Sequence, residues 1–209
     1  HGDLANSPGN PAFAPASGFG PFGGQAFLAD ISHRAIIRVA LEKVNGVYQG
    51  AVFPFIRPLA SASYSTGFGP DGRLWVGSVG RGWTTGEPII ETVSYDDTST
   101  PFEMQRVALT PHGFDIYFTQ PVADSVGGDA MTVREFHYLY WAEYGSDRQE
   151  VRVLSVEQAD LSEDHAVLSL RLPVEAGKVY ELDLGYVEAE SGAILENNVA
   201  FYTVNEVLP

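Results

Sequence analysis

Apolar and polar residues alternate along most of this chain in short runs, and Gly, Pro, Asn or Asp closes nearly every run. Alternation with a period of two puts one set of side chains on each face of a β-strand. In the first half this predicts strands at residues 25–29, 35–41, 47–55, 73–77 and 89–92. Asn45-Gly46 between two β-branched runs predicts a tight hairpin, and Pro70-Asp71-Gly72 a second turn. Residues 34–44 are the only stretch whose composition also admits a helix. In the second half the predicted strands are 105–109, 113–119, 135–141, 150–156, 166–172, 178–184 and 200–205, separated by polar turns such as Gly127-Gly128, Tyr144-Gly145-Ser146 and Ser191-Gly192.

A weak repeat lies within the first half. Residues 24–29 (GQAFLA) match 72–77 (GRLWVG) at an offset of 48, and residues 36–39 match 89–92 at an offset of 53. Each copy reads as a strand, a polar loop and a second strand, the pattern of β-propeller blades. About 100 residues hold roughly two blades, whereas a closed propeller needs about four to eight. The seven alternating runs after residue 98 fit an immunoglobulin-like β-sandwich. The expected organisation is therefore all-β: an extended lead-in at 1–24, a partial β-propeller of about two blades at 25–97, and an immunoglobulin-like sandwich at 98–209.

Charge divides the chain at the same place. Residues 1–100 carry a net −2 and 15 of the 22 glycines, whereas residues 101–209 carry −13 of the total −15. An acidic chain with only 12 Lys and Arg lacks the clustered cations that bind a phosphate backbone, so no nucleic-acid partner is expected. No apolar run reaches the ~20 residues of a membrane-spanning helix. With no cysteine there are no disulfides, thiolate metal sites or cysteine nucleophiles. Residues 1–24 lack the basic start and apolar segment of a signal peptide, so any export signal is expected to have been removed or to lie outside these residues.

Candidate chemistry is sparse. The five histidines (His1, His33, His112, His137, His165) show no zinc spacing, and no metal site is expected. His1 suits a copper brace only with a second histidine, which cannot be placed; a processing boundary is the simpler account. Asp96-Asp97 and Glu163-Asp164 are paired carboxylates in turn contexts, which a glycosidase would need to set across a cleft. Two loops occupy equivalent places in the repeat. One carries Asp30, His33 and Arg34, the other Arg81 and Trp83, and such loops gather on one propeller face where ligands bind. Either set buttresses a neighbouring blade or contacts a ligand. In the second half, Phe136-His137-Tyr138-Leu139-Tyr140-Trp141 is an aromatic cluster. Continued alternation would put Tyr138 and Tyr140 opposite Trp141, one face in the core and the other a sugar platform or an interdomain contact.

The stretches LANSPGNP, GPFGGQAFLADISHRAIIRVALEKVNGVYQGAVFPF, FGPDGRLWVGSVGRGW, PFEMQRVALTPHGFDIYFTQPV and AFYTVN together cover most of the chain. They resemble the C-terminal part of secreted bacterial proteins of the glucose/sorbosone dehydrogenase type. The resemblance implies a propeller that binds pyrroloquinoline quinone (PQQ) through several blades, followed by a small β-sandwich. It further implies a periplasmic or extracellular place, the remaining blades in the same or another chain as partners, and a cytochrome c as electron acceptor. Such an enzyme abstracts hydride from a sugar with a histidine-assisted quinone. The family's catalytic histidine and calcium ligands match no position here, and Arg81 alone suggests a cofactor contact. The chain by itself is thus expected to be inactive; the alternative is a non-enzymatic module that binds carbohydrate or protein.

Overall fold

A computed structural model describes residues 4–80, 86–123, 126 and 131–209. Among these residues the chain holds fifteen strands and no α-helix. Contacts divide it into two compact units, one of His1–Val39 with Phe53–Thr100 and one of Ala40–Val52 with Pro101–Pro209.

The first unit draws on β1 (Ala12–Phe13), β2 (Ala26–Asp30), β3 (Ala35–Val44) and β4 (Val47–Ile56), hydrogen-bonded in that order. Of residues 34–44, Ala35–Val44 are thus strand, after a turn that ends at Arg34: Ala35, Ile36 and Ile37 favour the pleat, and the partner strand supplies the backbone bonds. Asn45 and Gly46 turn the β3–β4 hairpin at φ 48° and 87°, the left-handed pair that a type I′ turn requires. A second sheet holds β5 (Ser63–Phe68), β6 (Leu74–Ser78) and β7 (Ile90–Val93). The two sheets share a core. Phe27, Ala29 and Ile36 of the first meet Leu74 and Val76 of the second, with Phe68 edge-on to Phe27 at 5.7 Å and to Phe19 at 5.2 Å within a cluster of phenyl rings.

Strand register refines the repeat. Ala29 pairs with Ile36 in β2–β3, and Gly77, its counterpart 48 residues on, pairs with Ile90 in β6–β7. Ile90 therefore stands where Ile36 does, at an offset of 54 instead of 53. One residue matters, because a single-residue slip exchanges the two faces of a strand.

The second unit contains two further layers. One runs β4 (its residues 47–52), β15 (Val199–Thr203), β14 (Val179–Asp183), β10 (Thr132–His137), β11 (Gln149–Leu154). The other runs β12 (Gln158–Leu161), β13 (Val167–Arg171), β9 (Gly113–Phe118), β8 (Met104–Thr110). Phe114 of β9 packs on Tyr180 of β14 at 5.3 Å and Tyr202 of β15 at 5.1 Å, so the layers meet through aromatic rings. Several polar groups in this core are paired. Tyr202 donates to Glu42, whose carboxylate also accepts the Leu109 N–H at 2.7 Å. The Gln49 carboxamide oxygen accepts the amides of Asn205 and Glu206 at 3.0 and 2.8 Å, which ties the final residues to β4. Buried donors and acceptors must find partners, and these polar residues lie where the alternation turns them inward.

Candidate functional site

Three groups of residues carry the candidate chemistry. The β2–β3 loop holds Asp30, His33 and Arg34. Asp30 is fully buried, and its carboxylate accepts four bonds: from the amides of Asn6 (2.9 Å), Ser7 (2.6 Å) and His33 (2.9 Å), and against His33 Nδ1 at 2.6 Å. Burial pushes this carboxyl up, but the donors from His33, Ser7 and Asn6 outweigh it and hold the group below the ordinary 3.8. A carboxylate so fully committed clamps residues 6 and 7 to the turn. Arg34 sits at φ 50° and its carbonyl accepts the Leu59 N–H at 2.6 Å, so its backbone fastens the turn to the following loop. Arg81 and Trp83, the counterparts in the second repeat, lie outside the described residues, as do His1 and Gly127-Gly128.

The second group was hidden in strand β3. Arg38 is fully buried on the same face as Phe27, as their cross-strand pairing dictates. Its guanidinium stacks over Phe53 at 4.3 Å and Phe22 at 4.6 Å, and Nη1 donates to the Gln25 side chain at 2.6 Å. Cation–π contact of this kind is strongest when desolvated. The signal was available: a charged residue at the core phase of an apolar strand, between Ile37 and Val39.

The third group is the aromatic cluster of the second unit. Strand β10 ends at His137, so the alternation expected to continue to Trp141 stops there. Residues 138–148 instead form a closed loop. The Leu139 amide donates to Ser146 Oγ at 3.0 Å, and the Trp141 indole N–H donates to the Gly145 carbonyl at 2.6 Å, across a Gly145 turn with φ 74°. The loop base is anchored. Tyr138 meets buried Phe136 edge-on at 5.2 Å, and the Arg148 guanidinium covers Phe136 at 4.6 Å while pairing with Glu181, which also takes Arg134 at 2.5 Å. The tip is bare: Tyr140 is fully exposed, Tyr144 76% and Trp141 50% exposed. Exposed Tyr and Trp rings on a braced loop offer flat faces for stacking on sugars or apolar side chains, at little ordering cost.

The remaining candidates serve turns. Asp96 accepts the Thr98 hydroxyl and amide at 2.7 and 2.9 Å, and Asp164 accepts Ser162 Oγ at 2.6 Å and the Ala166 amide at 3.2 Å. Both carboxyls are held below the usual range, by the Thr98 and Ser162 hydroxyls first. Among the histidines, His137 Nδ1 stands 3.5 Å from Glu150, and His165 Nδ1 lies 3.0 Å from the Val122 carbonyl and 3.3 Å from Glu190. Among the described residues no three His, Asp or Glu side chains gather as ligands for a metal ion. A depression of about 330 Å³ at one end of the second unit is lined by His112, Glu157, Arg171 and apolar side chains including Leu109 and Val207. Glu157 and Arg171 face each other there at 3.7 Å. No family model, curated protein or solved structure matches this chain.

Proposed function

We propose that this chain is the C-terminal portion of a secreted PQQ-type sugar dehydrogenase-like protein, in which it supplies about two propeller blades and an accessory immunoglobulin-like sandwich. One observation carries the reading: the two repeats pack head to tail. The face of the first repeat with Phe27, Ala29 and Ile36 lies on the opposite face of the second, with Leu74 and Val76. Repeats joined by unlike faces build rings when the rotation closes, which is the propeller principle.

Strand order supports the sandwich. Lettering β8 to β15 as A, B, C, C′, D, E, F and G, one layer reads D-E-B-A and the other C′-C-F-G, the immunoglobulin arrangement. The Tyr180 hydroxyl accepts the Glu175 amide at 2.8 Å, as the tyrosine corner of such domains does at the start of strand F. Its phenol is pushed up to about 12, by burial first and by the neighbouring Glu135 carboxylate.

The described residues do not fit a complete quinone centre. The Asp30 carboxylate is occupied by backbone donors, and no acidic cluster offers calcium ligands among the described residues. No catalytic step is assigned to this chain; its part is scaffold. Quinone, the remaining blades and a cytochrome c acceptor belong to the parent protein, in the periplasm or outside the cell. The test compares the complete natural gene product with residues 1–209 in dye-linked oxidation of aldoses with added PQQ and calcium. Activity in the complete product and none in the chain is expected; a complete product inert towards every aldose and without quinone binding overturns the proposal.

A second reading is favoured by the bare tip of the 138–148 loop: a non-enzymatic carbohydrate- or protein-binding module. Glycan-array binding that disappears on Tyr140→Ala or Trp141→Ala, with the fold intact, supports it, and binding unchanged by both removes these residues from the site.

A further inference from the structure

The repeat equivalence says more than that two blades are present. In the first repeat, Phe27, Ala29, Ile36 and Arg38 share one face, and all four are fully buried. By register their counterparts in the second repeat are Trp75, Gly77, Ile90 and Thr92. Those counterparts face away from the Leu74–Val76 side, and they are open: Trp75 is 43% and Ile90 71% exposed. Chemically the face is prepared for contact. Gly67 pairs with Trp75 and Gly77 with Ile90, so glycines leave a shallow shelf beside each large apolar side chain. A Cβ at Gly67 would meet nothing within 4 Å, so the shelf is free space and not a tight backbone packing.

We infer that the Trp75–Ile90 face of the β5–β6–β7 sheet is the docking surface for a third strand–loop–strand repeat, contributed from outside these 209 residues. The incoming sheet must present the face that covers Phe27 and Ile36 in the existing contact, with Leu- and Val-type side chains where Leu74 and Val76 stand. A second copy of this chain cannot supply it from its first repeat. The matching positions there are Ala26 and Leu28; Ala26 is buried and Leu28 half-buried, and Ile37, the cross-strand partner of Leu28 on that face, is also buried within the chain. Nor can it supply Leu74 and Val76, which are committed to its own core. The inference rests on the repeat that also supports the propeller reading, but not on any quinone chemistry.

The test places a benzoylphenylalanine photocrosslinker at position 90 of the complete natural polypeptide and maps the cross-linked peptide by mass spectrometry. Capture of a β-strand of another repeat, outside residues 1–209, is expected, with loss of that product when Gly67→Arg is added. Gly67→Arg fills free space, so its thermal melt should match the parent's and separates a blocked surface from a damaged fold. Cross-links confined to residues of this chain, or to residues 26–39 of a second copy, or no cross-link in a folded protein, overturn the inference. Failure of sugar oxidation with the cross-link intact would sink the dehydrogenase reading and leave this one standing.

Discussion

Asp30→Asn separates a clamp from a ligand-binding loop. Asparagine keeps one carboxamide oxygen, which can still accept the Asn6 and Ser7 amides. Its NH2 group then faces the His33 amide, a donor against a donor, and the His33 ring contact depends on a change of tautomer. Hydrogen bonds to a charged group contribute about 1.5–3 kcal/mol against about 0.5–1.5 for neutral ones, and an orphaned buried N–H costs about 1–3. Orphaning the one amide, at about 1 kcal/mol, and removing the charge from the other two bonds, at about 1 kcal/mol each, sums to roughly 3 kcal/mol. For a chain of this size that lowers the melting temperature by about 6–12 °C if it unfolds in one transition. The acid dependence has a definite sign. The folded carboxyl titrates below 3.8, so the Asp30 contribution is fully present above that pH and fades as pH falls through the depressed value. Wild type and variant should therefore differ most near neutrality and converge in acid. Differential scanning calorimetry across pH reads both effects, with exchange of the Ser7 and His33 amides as the local probe. A shift below about 2 °C at neutral pH, or a gap that widens in acid, refutes the clamp.

Three further outcomes follow from the same geometry. Arg38→Ala should cost about 3 kcal/mol by emptying the space between Phe22 and Phe53, while Arg38→Met, which refills it without charge, should recover most of that loss in urea unfolding. Tyr180→Phe removes the acceptor of the Glu175 amide and should cost about 1–2 kcal/mol. Because the folded phenol is raised from 10 to about 12, its contribution is full below 10 and is lost as pH climbs between the two; a spectrophotometric titration should find Tyr180 ionising late, together with Tyr202 and Tyr186, whose phenols are also raised, and Tyr180→Phe should remove one of these late steps. Tyr140→Ala should leave the melting temperature unchanged, since the side chain is fully exposed, and a large drop would mean that the loop tip is structural.

Much of the strand pattern was legible because alternation and turn chemistry are local. Val47 to Phe55 followed Asn45-Gly46 on a rule that needs only neighbouring residues, and the observed β4 spans Val47–Ile56. Three strands escaped. β1 has two residues, and β5 reads SYSTGF, whose Ser and Gly carry little apolar signal. β12, reading QADL, is set by its pairing with β13 and not by its own composition. The aromatic cluster misled for a physical reason: Tyr138, Tyr140 and Trp141 have high β propensity, but Ser146 and Gly145 close a loop that competes with further pairing. Asp30 was singled out as a possible ligand contact because of its loop position, whereas the donors that fill its carboxylate come from residues 23 and 24 positions earlier. Long-range partners of that kind leave no trace in local spacing. The repeat offset shows the same limit, since only cross-strand pairing could move Ile36 from Ile89 to Ile90.

The proposed place of these residues is at the end of a larger repeat assembly. The most direct test is the intact mass and peptide map of the protein isolated from its source. A mass well above 22.6 kDa, with peptides bearing further strand–loop–strand repeats of the GQAFLA and GRLWVG type, is the predicted result. A natural protein of 22.6 kDa that melts cooperatively as a monomer, with Trp75 still exposed, contradicts it.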